Sequence, residues 1–126
     1  MAYRTPLARV RGLGSAHAGA EHFWRQLLTA VANIFLASFL IWLVVTLAGA
    51  DYATVRGTLA KPQIAIPLLL LVVSGLVHMR LGMQVIIEDY VHSEGHKIVA
   101  LMLSSFFAFA VGLVCVFAVL KLSFGA

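Results

Sequence analysis

Three long runs of apolar residues, separated by short polar segments, set the pattern of this chain. They extend from Leu27 to Ala50, from about residue 63 to Ile87, and from Ile98 to Leu120. The first run has 24 residues and no charge. A helix of that length is roughly 36 Å long, enough to cross a bilayer core of ~30 Å. The pattern predicts three transmembrane helices, at about residues 26–50, 63–90 and 97–121.

The composition agrees with a membrane protein. Hydrophobic residues make up 62% of the chain, charged residues 11%, and the mean hydropathy is +1.00. Soluble domains carry about a quarter charged residues, so this chain cannot cover a globular surface with polar groups. We therefore expect an all-α integral membrane protein with a single domain, residues 1–126, solvated by lipid. Three helices enclose little by themselves, so a protein partner is also expected.

The polar segments indicate the orientation. Residues 1–25 are expected to form an extended cytoplasmic arm, because their glycines disfavour a long helix. The arm and the second loop carry five cations, Arg4, Arg9, Arg11, Arg25 and Lys97, against Arg56, Lys61 and Lys121 on the first loop and the tail. Cytoplasmic segments accumulate Lys and Arg, so the N-terminus is expected inside and the C-terminus outside. Membrane topology thus explains the net charge of +4, and no nucleic-acid partner is expected.

The second apolar run contains chemistry that the other runs lack. It holds a histidine and an arginine and leads into HMRLGMQVIIEDYVH, from His78 to His92. Polar groups at such depth are costly in a bilayer and by default mark a functional site. At 100° per residue, several neighbours lie within about 60° of His78 on one helical stripe. These neighbours are Ser74, Gly75, Gly82, Val85 and Asp89.

An imidazole flanked by small residues suits an axial ligand of haem iron. Neutral imidazole is a good donor, and small neighbours let a flat group approach closely. The other interpretation is a histidine that hydrogen-bonds a neighbouring helix, which is the more common case when spacing is the only information. No other apolar run carries a matching histidine, so a bis-histidine haem would need a ligand from a partner subunit.

A second polar site lies at the end of the same helix. Tyr90 is roughly 18 Å along the axis from His78. A tyrosine hydroxyl there can hydrogen-bond a carbonyl of a lipophilic substrate, and Asp89 can influence its proton supply. The alternative, which is the commoner role, is an aromatic belt residue at the membrane interface. Arg80 is about 200° from His78, so it could snorkel or pair with a carboxylate of a partner or a cofactor.

Two blocks of the sequence resemble a known family. His78, Gly82, Met83, Gln84, Asp89 and Tyr90 are similar to the second-helix signature of the small membrane-anchor subunit of succinate dehydrogenase, respiratory complex II. The segment GSAHAGAEHFWRQLLTAVAN, residues 14–33, is similar to the opening of the bacterial and mitochondrial-like members. The two blocks contain 20 and 15 residues. The third span matches only in hydropathy.

The resemblance implies a function. In that family a second three-helix cytochrome b subunit and the anchor hold a b-type haem between them, and ubiquinone binds near the cytoplasmic or matrix side. His78 would ligate the haem iron, Tyr90 would contact the quinone, and Asp89 would line the same region. An iron–sulfur subunit and a flavoprotein subunit would complete an electron-transport complex that oxidises succinate in the tricarboxylic acid cycle. The chain would not be an enzyme on its own, and we expect it in a bacterial inner membrane rather than a mitochondrial one.

One departure from the family pattern concerns the haem propionates. Family members often carry an arginine two residues before a Thr-Ala pair, and this chain has Leu27 there, ahead of Thr29. The role of that arginine would pass to Arg25, to Arg80 or to the partner subunit. Ser74, Gly75 and Gly82 would form the rest of the haem surroundings in this chain.

Two rival functions stand beside this one. The first is a purely structural anchor that contacts neither haem nor quinone. The second is a small proton-relay or transport subunit that uses His78, Arg80 and Asp89. The first run has only one strongly polar residue, Asn33, and the third run is uncharged, which argues against a continuous wet path.

Overall fold

The structure is a computed structural model that describes residues 5–12 and 18–125. Within these ranges the chain is helical and has no strand. The helices are α1 Pro6–Arg11, α2 Ala18–Leu47, α3 Tyr52–Leu59, α4 Pro62–Tyr90 and α5 Glu94–Phe124. Among the described residues, α2, α4 and α5 are long and apolar enough to cross a membrane. The prediction of an all-α fold with three spans is confirmed.

The second span, α4, is the central helix. Thr29 of α2 contacts His78, whereas Gln26, three residues earlier, faces Gly82. The residue numbers of the contacting pairs increase along α4 while they decrease along α2, so these two helices are antiparallel. Helix α5 is also antiparallel to α4, because it follows α4 after a short turn. Both neighbours therefore pack on α4, and the described parts of α2 and α5 share no extensive interface with each other.

The arm is not extended throughout, which corrects one expectation. Residues 6–11 form α1, and residues 18–25 are already the first two turns of α2. An ion pair between Glu21 and Arg25, one turn apart, supports this early start, and Glu21 also complements the helix N-terminus. Gly12 adopts φ +62° just after α1, and Gly19 lies at the start of α2. Gly14 lies outside the described residues.

The first polar loop contains the short helix α3. Asp51 is its N-cap, and the side chain of Asp51 accepts a hydrogen bond from the backbone N–H of Thr54 at 3.4 Å. Hydrogen bonds from Thr54, first through its side chain and then through its backbone, hold the pKa of Asp51 below its ordinary value. Helix α3 packs against α4 and α5. It therefore covers the end of the bundle opposite to Tyr90.

Most large apolar side chains are exposed in the isolated chain. Only Leu43, Ala65, Leu81, Ile87 and Ala108 are buried hydrophobic residues in the described part. Three helices in an open row bury little of one another, so lipid and partner subunits must cover the remaining apolar surface. A large prosthetic group would likewise need a second protein to enclose it.

Candidate functional site

A polar face of α2 lies against α4. His22, Gln26, Thr29 and Asn33 recur at i, i+4, i+7 and i+11, which places them on one side of the helix. Thr29 contacts His78, and a Cβ at Gly82 would lie 3.5 Å from Gln26 Nε2. We call these α2 residues, together with two residues of α4, the polar seam. Its members are His22, Gln26, Thr29, Asn33, Ser74 and His78.

The contact between Thr29 and His78 defines the chemistry of the imidazole. Thr29 Oγ1 lies 3.1 Å from His78 Nδ1, 2.9 Å from the carbonyl oxygen of Arg25 and 3.1 Å from that of Gln26. A threonine hydroxyl has one proton, and the two carbonyls of its own helix can only accept it. With its proton on one of these carbonyls, the Thr29 oxygen can accept a hydrogen bond from Nδ1–H, and Nε2 is the ring nitrogen left free.

His78 Nε2 has no hydrogen-bond partner among the described residues, and the side chain is half-buried. Neutral imidazole with a free Nε2 is the form that binds a transition metal. The part of the chain that the structure describes contains no cluster of three or more His, Cys, Asp or Glu side chains that could hold a metal. His78 is therefore suited to a group that needs one nitrogen ligand from this chain, such as a haem iron.

The small residues around His78 divide into two kinds. A Cβ added at Gly75 would meet nothing within 4 Å, whereas one at Gly82 would contact the Gln26 side chain. Gly75 therefore leaves open space one turn from the imidazole, and Gly82 lets α2 approach. Ser74 lies about one turn before His78, and its Oγ is buried.

Four seam atoms are buried without a hydrogen-bond partner in the described part of the chain. They are His22 Nε2, Gln26 Oε1, Asn33 Oδ1 and Ser74 Oγ. An unpaired buried polar atom costs about 1–3 kcal/mol, so the native assembly must supply partners for these groups. Hydropathy alone distinguishes Asn33 within the first span and does not group His22, Gln26 and Thr29 as a set. Their helical spacing was the signal that could have revealed them.

Asp89 and Tyr90 form the last turn of α4 and are exposed, Tyr90 to 78%. Neither side chain has a hydrogen-bond partner among the described residues. This end of the bundle also holds a cavity of about 330 Å³ between α2 and α4, lined by Gly19, His22, Gln84, Val85 and Glu88. We call it the rim cavity. Gln84 Nε2 donates to Glu88 Oε1 at 2.8 Å within it.

The two arginines of the predicted haem surroundings lie apart from His78. Arg80 Nε donates to Ser105 Oγ of α5 at 3.2 Å, at a groove of about 270 Å³ between α4 and α5. The Arg25 side chain is exposed and pairs with Glu21, and only its carbonyl reaches Thr29. The structure therefore brings Thr29 of α2 to His78 and turns Arg80 toward α5.

Comparisons with known proteins agree with the three-span fold. A model of the succinate dehydrogenase/fumarate reductase transmembrane subunit matches residues 1–119. The hydrophobic membrane anchor subunit of succinate dehydrogenase from Paracoccus denitrificans is 32% identical over 126 residues, which cover 100% of this chain and 97% of that protein. The subunit of the same name from Rickettsia bellii is 30% identical over 118 residues, with 91% and 94% covered. No solved structure gives a significant match.

The family model covers far more than half of the chain, and these relatives are matched over nearly their whole length. The chain therefore belongs to the succinate dehydrogenase/fumarate reductase transmembrane subunit family, as a multi-pass membrane anchor subunit of succinate dehydrogenase.

Proposed function

We propose that this anchor supplies one axial ligand of a b-type haem and part of a ubiquinone site in succinate:quinone oxidoreductase. The observation that carries the proposal is the contact between Thr29 and His78, because it engages Nδ1 and leaves Nε2 as the ring nitrogen free to bind iron. The partners would be a second three-helix cytochrome b subunit, an iron–sulfur subunit and a flavoprotein subunit.

His78 Nε2 would bind the haem iron from this side, and the cytochrome b subunit would supply the second ligand. The open space at Gly75 supports this arrangement, since a flat ring needs close access beside the imidazole. When bound, such a haem supplies a one-electron carrier within the membrane. Ser74 and Gly82 would hold the adjoining helix surface in place.

Arg25 is the better candidate of the two arginines for a propionate contact. Its side chain is exposed on α2, near the start of the polar seam, whereas Arg80 is directed to Ser105 on α5. Arg25 would have to exchange its pairing with Glu21 for a propionate oxygen. The other possible source of a positive charge for the propionate is the cytochrome b subunit.

Tyr90 and Asp89 would form the quinone end of the chain. Reduction of a quinone to a quinol consumes two electrons and two protons. The Tyr90 hydroxyl would donate a hydrogen bond to a quinone carbonyl, and Asp89 would help to deliver protons from the adjoining water. The exposure of both residues supports contact with other subunits and substrate at this end. Electrons would come from the iron–sulfur subunit docked over this rim.

The same arrangement supports one orientation in the membrane. The start of α2 and the end of α4 lie at the same end of the bundle, as the residues around the rim cavity show. With the cationic N-terminal side in the cytoplasm, Tyr90 would face the cytoplasmic side of a bacterial inner membrane. Water and the soluble subunits are available there.

Two rival functions have less support. A proton relay through His78 and Arg80 would need the two side chains on one path, but they contact different helices. In a purely structural anchor His78 would serve only for its hydrogen bond to Thr29, and Nε2 would stay unused within the span. The polar seam would then serve only helix packing, and its four unpaired atoms would have no cofactor or hydrated path nearby.

The proposal is tested on the complex purified through a tag on this chain. We expect a reduced-minus-oxidised spectrum of a b-type cytochrome, with one haem per copy of the chain, and succinate-dependent quinone reduction. A colourless complex that still reduces quinone at the full rate would favour the structural anchor. A chain that purifies without the other subunits and conducts protons in liposomes would favour the relay.

A further inference from the structure

We infer that Thr29 is a positioning residue for His78, which fixes the tautomer and the ring orientation of the imidazole and strengthens it as a ligand. This inference rests on the proposed haem ligation by His78. It goes beyond it by assigning a specific role to a residue of a different helix.

Thr29 is placed to accept a hydrogen bond from the imidazole. Its Oγ1 lies 2.9 and 3.1 Å from the carbonyl oxygens of Arg25 and Gln26, which can accept its one proton. An imidazole bound to iron through Nε2 keeps its proton on Nδ1, and the Thr29 oxygen lies 3.1 Å from that atom.

The acceptor oxygen of Thr29 is held rigidly. Thr29 is half-buried on a 30-residue helix, and its β-branched side chain is held by the bond to the preceding turn. The oxygen is therefore in position before any cofactor binds. An oriented acceptor on the second nitrogen is the usual means of fixing a metal-bound histidine and raising its basicity.

Loss of the Thr29 hydroxyl would remove the hydrogen-bond acceptor of His78. Valine has nearly the shape of threonine but no acceptor, so Nδ1–H would be left unpaired inside the bundle. The ring could then rotate, and the imidazole would become a weaker donor. A weaker donor stabilises ferric iron less, so the haem would become easier to reduce.

The experiment compares Thr29→Val, Thr29→Ala and Thr29→Ser in the purified four-subunit complex. Redox titration of the haem and electron paramagnetic resonance of its ferric form are the measurements. Thr46→Val is the matched control, because Thr46 lies on the same helix, and its hydroxyl donates only to the carbonyl of Trp42, at 2.8 Å. A general effect of losing a threonine hydroxyl from α2 would appear in this control too.

We expect the Val and Ala variants to show a more positive haem midpoint potential, an altered ferric spectrum and about 10-fold weaker haem retention. Thr29→Ser and Thr46→Val should match the wild type in all three. Unchanged potentials and spectra in Val and Ala would overturn the inference. So would a Ser variant that shifts as far as Val, since it keeps the hydroxyl and loses only a methyl group.

If neither apolar variant assembles, Thr29→Cys takes their place, because a thiol is of similar size and a weaker hydrogen-bond acceptor. The haem midpoint potential of this variant should become more positive, and an unchanged potential would overturn the inference. Failure of the proposed function looks different, because a wild-type complex without haem, or a His78→Ala complex with normal haem, would refute ligation itself. Normal ligation by His78 with insensitive Thr29 variants would refute only the positioning role.

Discussion

Gly112 of α5 faces Leu76 of α4 so closely that a Cβ on the glycine would lie 2.7 Å from Leu76 Cδ1. Real Cβ atoms essentially never approach another heavy atom to that distance. The absence of a side chain at Gly112 therefore sets how close the third span comes to the central helix. In a membrane, such small residues provide packing that the hydrophobic effect cannot supply.

We predict that the Gly112→Ala complex has a free energy of unfolding about 1 kcal/mol below that of the Gly95→Ala complex. This difference is the lower end of the cost of overpacking. Both changes improve helix propensity on α5, but only the first meets a neighbour, and the end of the Leu76 side chain can shift to reduce the clash. Thermal unfolding of the detergent-solubilised complex checks this. In a Leu76→Ala background the difference should shrink, and a difference that persists would refute the packing explanation.

Gly75 offers the opposite case, because nothing in the described chain occupies the space beside it. Gly75→Leu should leave the amount of assembled complex unchanged and reduce haem content by about 10-fold, since the added side chain would occupy the space proposed for the ring. Val73→Leu is the control, because Val73 is 55% exposed and lies about 200° away on the same helix. Equal haem loss in both variants would argue against a haem at Gly75.

Tyr90→Phe should reduce the rate of succinate-dependent quinone reduction by about 100-fold, a typical loss for one donor to a reacting oxygen. Succinate oxidation by a soluble dye should remain normal, because that reaction does not use the quinone site. Tyr52→Phe is the matched control, since Tyr52 is 77% exposed and lies on α3 at the other end of the bundle. Full quinone activity in Tyr90→Phe would exclude the proposed role.

The N-cap of α3 should depend on pH. Because its partners lower the pKa of Asp51, the charged carboxylate stabilises α3 fully above the ordinary Asp value of about 3.9. This contribution is lost as the pH falls through the lower, folded-state pKa. Hydrogen-exchange protection of the Thr54 amide, which donates to Asp51, measures the effect. Asp51→Asn caps the helix without titrating, so its protection should stay level over that range; parallel losses in both proteins would contradict the explanation.

The sequence predicted the parts of the fold that depend on one helix at a time. Apolar runs gave the three spans, and the helical angle indicated that Arg80 and His78 do not share a face; in the structure they contact α5 and α2 respectively. The sequence did not show which face of α2 meets α4. That register depends on packing between residues 49 positions apart, such as Thr29 and His78. The sequence alone therefore gave Thr29 no role beyond its place in the family pattern.

The start of α2 was also missed, for a local reason. The glycines predict that the whole arm is extended, but Gly19 lies in the first turn of α2, where a helix tolerates glycine more easily. The ion pair between Glu21 and Arg25 offsets part of its cost. A search for pairs four residues apart would have extended the predicted helix toward the N-terminus.

The most direct test of haem ligation by His78 is the haem content of the purified complex with His78→Ala, measured as the pyridine haemochrome per flavoprotein subunit. His92→Ala is the matched control, because His92 is exposed just beyond α4. We expect His78→Ala to lose the b-type haem and His92→Ala to keep one per complex. A His78→Ala complex with full haem content and an unchanged midpoint potential would show that His78 does not bind the haem.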